Sequence, residues 1–194
     1  AIYTFVDDAE YRIEFTAEDK CGNKSQTDNT FIKDGNAPSI LLSGVKNYDK
    51  TDKNVELTIT IEEAFYTSNR VTLSGTRTDI DGKSHKIDFD DFATNRTKIS
   101  QLEQMFKEDG IYDITVTSTD KAGNTDTKTI HFTIDTKAPV IDDLSSLDGK
   151  KIKEFSLDKP LEELVTDLTV CDIKMYMDGV EYDGVNELED GSHT

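Results

Sequence analysis

Apolar and polar residues alternate over several short segments in the middle of the chain. The clearest segment is 55–61, in which Val, Leu and Ile occupy every second position and Glu or Thr lies between them. A period of two is typical of a β-strand that buries one face. The same alternation predicts further strands, whose inward residues are Val71, Leu73, Ile87, Phe89, Tyr112, Ile114, Val116, Ile130, Phe132 and Ile134.

One turn and one helix are also predicted from local pattern. Asp81-Gly82 lies between two predicted strands, and an Asp-Gly pair favours the positive φ angles of a tight type I′ hairpin turn. Further along, the spacing of three apolar residues after a possible cap is helical; these residues are Ser100, Leu102, Met105 and Phe106. The expected fold class is therefore all-β, with one short helix in the central part of the chain.

Two segments of the chain are related by an internal repeat. Residues 5–40 align with residues 106–141 without a gap, at an offset of 101 positions, and 14 of the 36 aligned residues are identical. A period of about 100 residues is that of one small β-sandwich domain. The repeat predicts the last two strands of an upstream unit over 1–36, a complete central domain over 37–137, and the opening strands of a following, shorter unit over 138–194.

The repeat carries the motif Tyr-x-Ile-x-Val/Phe-Thr-x-x-Asp-Lys-x-Gly-Asn, followed by Asp-x-x-Ala-Pro. It occurs over 11–38 and again over 112–139. In this motif the chain resembles the immunoglobulin-like repeats of bacterial surface and secreted proteins, and the resemblance covers most of residues 1–141. It implies tandem immunoglobulin-like β-sandwiches that lie outside the bacterial cell or at its surface. It also implies a structural spacer or stalk, which presents a functional domain or contributes to adhesion and has neighbouring repeats as partners.

The motif residues have structural interpretations. A tyrosine two positions after Asp-Gly is typical of a tyrosine corner, in which the hydroxyl bonds an upstream backbone group. Glycine and asparagine in the turn suit a left-handed backbone, and the aspartate there can accept N–H groups of the same turn. An Ala-Pro pair favours an extended linker. These predicted roles fall on Tyr11, Asp109, Tyr112, Asp120, Gly123, Asn124, Pro38 and Pro139.

The charge of the chain excludes two classes of partner. Forty acidic residues face 22 Lys and Arg, which gives a formal net charge of −18. Nucleic acid and anionic membrane surfaces both require a basic face, so neither is an expected partner. The acidity then has two interpretations: it keeps the chain soluble through self-repulsion, or it gathers carboxylates for divalent cations.

The first linker is the candidate for such a cation. The segment 33–38 loosely resembles the calcium-binding linkers of cadherin repeats, and Ca²⁺ prefers six to eight oxygen ligands. The candidate calcium ligands are Asp34 and Asn36 in the linker and Glu62 and Glu63 in the next domain. The second linker has Lys137 at the position of Asn36, and a cation there opposes metal binding.

No sequence pattern indicates catalysis. The three histidines lie far apart, and the nucleophile-elbow, phosphate-loop and dinucleotide-binding motifs are absent from the sequence. The chain is therefore not expected to be an enzyme or to need a cofactor other than Ca²⁺. Cys21 and Cys171 fall in different predicted units, so free thiols are expected rather than an intradomain disulfide.

Two alternatives to a passive spacer remain open from the sequence. The central domain could bind a glycan or a host protein through its loops, with residues 76–107 as the best candidates. Its aromatic residues Tyr66, Phe89 and Phe92 either fill the core or form a sugar platform. The incomplete outer units could also pair with other chains, because an unpaired strand edge favours strand complementation.

Overall fold

β-Strands form over most of the segments in which the sequence alternates. The computed structural model describes residues 2–66, 69–93, 97–145, 148–151 and 160–181, and its chain separates into two units, Ala1–Ile134 and Asp135–Thr194. The all-β prediction is confirmed. The strands are β1 (Ala9–Glu18), β2 (Lys24–Lys33), β3 (Ser39–Ser43), β4 (Asp49–Thr51), β5 (Val55–Glu62), β6 (Arg70–Thr78), β7 (Ser84–Ala93), β8 (Ile99–Phe106), β9 (Gly110–Thr119), β10 (Thr125–Ile134), β11 (Val140–Ile141), β12 (Val165–Thr166), β13 (Tyr176–Met177) and β14 (Val180–Glu181).

Strands β3 to β10 build a β-sandwich. One sheet has the order β3-β5-β8 and the other has the order β4-β10-β9-β6-β7. A single core joins the inward residues of both sheets, including Leu57, Leu73 and Phe132, and each such side chain contributes about 1.5–3 kcal/mol when fully buried. The predicted inward residues lie in this core, with Ile87 and Phe89 packed at its margin.

The predicted helix is wrong. Residues Ile99–Phe106 form strand β8, which pairs antiparallel with β5 from Glu62↔Ile99 to Val55↔Phe106. Leu102 and Phe106 are four positions apart, so they share a face in a strand as well as in a helix. Met105 lies on the other face and is 41% exposed. Pairing with β5 therefore overrides the helical spacing.

The hairpin turn at Asp81-Gly82 differs from the two-residue turn that the sequence predicts. Strands β6 and β7 are joined by the five-residue loop 79–83, in which the Asp79 carboxylate accepts the N–H groups of Asp81 (3.1 Å) and Lys83 (2.9 Å). Gly82 alone among the loop residues has a positive φ, of 76°. A hydrogen bond from His85 is the main reason that the pKa of Asp79 lies below its usual range.

Hairpin β1–β2 reproduces hairpin β9–β10 in register. Ala9 pairs with Lys33 and Glu18 with Lys24, and adding the repeat offset of 101 gives Gly110 with Ile134 and Thr119 with Thr125. The turns also match, since each aspartate N–H donates to the carbonyl of the asparagine four positions later. The internal repeat is thus a repeat of hydrogen-bonded structure.

The described residues of unit Asp135–Thr194 form two small antiparallel pairs, β11–β12 and β13–β14, and a short 3-10 helix, Leu161–Leu164. Strands β13 and β14 are joined by Asp178-Gly179, and both residues have positive φ, 52° and 77°. This is the backbone that a two-residue Asp-Gly hairpin turn requires. Among the described residues, no helix has the length and apolar composition needed to cross a lipid bilayer.

Tyr112 connects the core to the chain segment before β9. Its hydroxyl donates to the Glu108 carbonyl at 2.6 Å, and its ring stacks on Phe132 with centroids 4.8 Å apart. Arg77 covers the same corner by donating to the Asp109 carbonyl at 2.7 Å and pairing with Glu108 at 2.6 Å. Burial is the main cause that raises the pKa of Tyr112 to about 12. This is the contact expected of a tyrosine corner.

Replacing Tyr112 by Phe removes this hydrogen bond and leaves the ring in place. We expect the free energy of unfolding to fall by about 1–2 kcal/mol, the usual effect of losing a buried hydrogen bond. Urea unfolding measures the change. Tyr11→Phe is the matched control, because its hydroxyl makes the same bond to Asp7 in the more exposed hairpin. Equal unfolding midpoints for Tyr112→Phe and the parent chain would contradict a stabilising corner.

The raised pKa of Tyr112 also predicts a dependence of stability on alkaline pH. The folded chain holds the phenol proton up to about pH 12, whereas the unfolded chain releases it near the ordinary value of 10.0. The stabilisation is therefore complete below pH 10 and is lost as pH rises towards 12. Unfolding curves between pH 8 and 11 should show a steeper loss for the parent chain than for Tyr112→Phe. Parallel pH profiles for the two proteins would overturn this expectation.

Candidate metal centre

Three carboxylates meet where three strands end. Asp34 directly follows β2, Glu63 directly follows β5, and Asp120 directly follows β9. One oxygen from each lies within 4.8 Å of the other two. These strands come from distant parts of the sequence and belong to three different sheets, so it is the fold of unit Ala1–Ile134 that brings the acids together. We refer to Asp34, Glu63 and Asp120 as the acidic triad.

Local turns orient each carboxylate of the acidic triad. An Asp34 oxygen accepts the N–H of Asn36 at 3.1 Å, and Glu63 Oε1 accepts the N–H of Phe65 at 3.1 Å. Asp120 accepts the backbone N–H of Asn124 on one oxygen and its side-chain amide on the other, both at 2.8 Å. The three carboxylates are thus held by short-range hydrogen bonds.

Burial makes this cluster electrostatically unusual. Glu63 is only 4% exposed and Asp120 only 7%, while Asp34 is partly exposed. Glu63 Oε2 is buried and has no hydrogen-bond partner among the described residues. Among the residues that the structure describes, no lysine or arginine forms an ion pair with Asp34, Glu63 or Asp120. Buried negative charges that lie close together destabilise one another unless a proton or a cation compensates them.

The linker after β2 rests on the turn that contains Asp120. The amide of Asn124 donates to the backbone carbonyl of Asp34 at 3.2 Å, in addition to its bond with Asp120. In hairpin β1–β2 the equivalent Asp19 and Asn23 make the same turn bonds but are exposed. The same motif therefore closes a hairpin in both places and also holds a linker in the second.

The structure brings together only part of the predicted calcium set. Asp34 and Glu63 belong to the acidic triad, whereas Glu62 is exposed and lies 3.8 Å from Lys98. The side-chain amide of Asn36 donates to Asp8 at 2.5 Å, and Asp8 also pairs with a neighbouring lysine. That lysine, Lys33, is the main reason that the pKa of Asp8 lies below its usual range.

Asp120 is not among the calcium ligands that the sequence predicts. It was predicted only as a turn residue, and it does hold the turn through Asn124. No local signal distinguishes it, since the equivalent Asp19 ends its strand in the same motif and is exposed. The other motif positions adopt structural roles: Gly123 has a φ of 95°, and Pro38 is fully buried at the start of the sandwich, while Pro139 is exposed.

A similar pair of acids lies in the second unit. Val140 pairs with Thr166 as Ser39 pairs with Glu62, so Asp167 occupies the position that Glu63 has in the sandwich. Asp135 is equivalent to Asp34 by the repeat offset. Hydrogen bonds from Thr169 hold the pKa of Asp167 below its usual range.

Of the candidate platform aromatics, the two whose side chains are described, Phe89 and Tyr66, have different environments. Phe89 packs against the core of the sandwich, and Tyr66 is 42% exposed. Phe92 lies in β7, but its side chain is outside the described part of the structure. The rings that the described residues do bring together in the sandwich core are Phe106, Tyr112 and Phe132.

The two equivalent asparagines provide a test of the linker contact. We expect Asn124→Ala to lower the free energy of unfolding by about 1–2 kcal/mol, because it leaves one oxygen of the buried Asp120 carboxylate and the Asp34 carbonyl without their side-chain donor. Asn23→Ala breaks only exposed turn bonds and should cost less than about 0.5 kcal/mol. Urea unfolding and amide hydrogen exchange across residues 33–38 measure both effects. Equal losses in the two variants would show that the contact with the linker adds nothing.

Comparison with known proteins identifies the sandwich. Residues 41–136 match the family model described as the bacterial Ig-like domain. No curated protein matches the chain. Domains of this family are generally non-catalytic structural modules and are typical of surface or secreted proteins. The central domain, residues 41–136, therefore belongs to the bacterial immunoglobulin-like domain family.

Proposed function

We propose that this chain is a spacer segment of a bacterial cell-surface or secreted protein, built from consecutive immunoglobulin-like units that transmit tension. The repeat of hairpin register supports consecutive units, because β1–β2 reproduces the last hairpin of the sandwich residue for residue. The acidic surface supports exposure to solvent, since a net charge of −18 favours solubility and opposes association with other acidic surfaces.

The observation that carries the proposal is the pairing of the first and last strands of one sheet. Strand β4 runs parallel to β10, with Asp49 opposite Phe132, Lys50 opposite Thr133 and Thr51 opposite Ile134. The chain enters the domain at β3, which pairs with β5 in the other sheet, then runs through β4, and it leaves the domain directly after β10. Once β3 has separated from β5, a force that pulls on both ends draws β4 and β10 in opposite directions along their own axes.

In this parallel pairing, an applied force acts on several hydrogen bonds between β4 and β10 at the same time. When two parallel strands slide past each other, their ladder hydrogen bonds must break together, whereas strands that are peeled from one end lose them singly. The backbone ladder is reinforced by Tyr48, whose N–H donates to the carbonyl of His131 at 2.6 Å and whose ring stacks on that histidine. A sandwich joined in this way resists extension, which is the property that a spacer needs.

Single-molecule force spectroscopy on the whole chain tests the proposal. We expect a resolvable force peak for the sandwich, and a lower peak for Lys50→Pro, because proline at the centre of β4 restricts the backbone and disrupts the three-residue pairing with β10. Lys20→Pro is the control: Lys20 follows Asp19 in a turn closed by Gly22, where proline is tolerated. Its sandwich peak should equal that of the parent chain.

Two outcomes would reject the spacer. Extension of the folded parent chain without a resolvable sandwich peak would remove the mechanical role. Saturable binding of a glycan or a host protein that is lost on Tyr66→Ala would instead favour a binding module, because Tyr66 is the candidate platform residue that the structure shows exposed.

A further inference from the structure

We propose that the acidic triad of Asp34, Glu63 and Asp120 binds a divalent cation, and that this cation is Ca²⁺. One oxygen from each carboxylate lies within 4.8 Å of the other two. Because Ca²⁺–oxygen bonds measure about 2.3–2.6 Å, oxygens this close are within reach of one ion. The site is independent of the mechanical role proposed above and holds whether or not the domain transmits tension.

The buried oxygen of Glu63 is the observation that separates this cluster from an ordinary acidic surface. Glu63 is 4% exposed, and its Oε2 lacks a hydrogen-bond partner within the described chain. A buried carboxylate oxygen without a donor is costly, and most such atoms in folded proteins are satisfied. A cation bound by the acidic triad compensates this oxygen and its two acidic neighbours together.

The ligand chemistry favours calcium over transition metals. All three groups are carboxylates, and the cluster contains no imidazole or thiolate, which are the ligands that zinc and copper prefer. Calcium accepts irregular sets of six to eight oxygens, so the protein carboxylates can be completed by water. Magnesium demands a nearly ideal octahedron at shorter distances, which three carboxylates held by separate loops are poorly suited to supply.

Solvent reaches the site from the linker side. Asp34 is partly exposed and lines a cleft of about 470 Å³, together with Phe65, Lys121 and Ala122 and residues of β1 and β2. The cleft gives a hydrated ion access to Asp34, which is the exposed member of the acidic triad, and leaves room for coordinated water beside it. The two buried acids, Glu63 and Asp120, lie on the sandwich side of the cluster.

Bound calcium would join three loops of unit Ala1–Ile134. Asp34 belongs to the linker after hairpin β1–β2, whereas Glu63 and Asp120 belong to the two sheets of the sandwich. The direct contact between Asn124 and Asp34 already holds the linker at this point, at 3.2 Å. The ion adds a second constraint there, so its expected effect is to order the linker and stabilise the sandwich.

Two acids of the triad have equivalents in the second unit, which indicates that the fold positions these carboxylates. Asp135 and Asp167 are the equivalents of Asp34 and Glu63. The local turns also recur, because Asp135 accepts the N–H of Lys137 and Asp167 accepts the N–H of Thr169, each two positions later. The acids are therefore placed by the repeat rather than by the high acidic content alone.

Calcium titration of the chelator-treated full chain tests the site. We expect saturable binding by calorimetry with a dissociation constant of about 10⁻⁴–10⁻³ M, the range of extracellular calcium modules, and a higher melting temperature in Ca²⁺ than in EDTA. Magnesium at the same concentration should give a smaller shift. No binding heat and no change in melting temperature at 10 mM added CaCl₂, about ten times the weaker limit of that range, would overturn the proposal.

Neighbouring glutamates provide the matched variants. Glu63→Gln keeps the size of the buried side chain but removes its charge, and should weaken Ca²⁺ binding by at least about tenfold, the effect of losing about 1.4 kcal/mol. Glu62→Gln removes an equal charge from the adjacent exposed position and should leave binding unchanged. An equal loss of Ca²⁺ affinity in both variants would show that calcium is attracted only by the acidic surface in general. That result would reject the site.

Two further measurements keep the test independent of folding defects. Asp34→Asn lies on the partly exposed linker, so it should fold normally and still lose calcium affinity. In EDTA, Glu63→Gln should melt at a higher temperature than the parent chain, because it relieves repulsion within the acidic triad. A lower melting temperature in EDTA would show that the Glu63 charge is already compensated within the protein, and would contradict a cation site.

Discussion

The turn from Asp120 to Asn124 is the contact on which the arrangement of unit Ala1–Ile134 depends. The Asp120 carboxylate accepts both the backbone and the side-chain N–H groups of Asn124, and this closes the β9–β10 hairpin. The same asparagine amide donates to the Asp34 carbonyl, so the hairpin also receives the linker. One short motif thereby sets the register of two strands and the position of the chain that precedes the sandwich.

This contact has an electrostatic consequence. Seating the linker on the turn places Asp34 beside Asp120, and the end of β5 adds Glu63 from the opposite sheet. The turn bonds satisfy Asp120, but they leave one Glu63 oxygen buried and unpaired within the described structure. The architecture therefore concentrates negative charge at the point where the chain enters the domain, and the stability of the linker is coupled to whatever compensates that charge.

A second constraint acts between the ends of the domain. The core of the sandwich is a conventional two-sheet core, with Tyr112 stacked on Phe132 and bonded to the Glu108 carbonyl. Strand β4 adds only three residues, but it ties the beginning of the domain to β10 in parallel. The short strand contributes little buried surface, yet in the proposed spacer it is the element that carries an applied force to β10.

The sequence by itself determined the features that depend on neighbouring residues. Alternation located the strands, the offset of 101 located the second hairpin, and the motif indicated the turn and the tyrosine corner, because each feature rests on contacts within a few residues or on a simple period. The tertiary structure decided the remainder. Residues 99–106 became a strand because β5 needed a partner, although the spacing of Leu102 and Phe106 fits a helix equally well. Asp120 joined Asp34 and Glu63 because three distant strands end at one place, and no local pattern in the sequence encodes such a meeting.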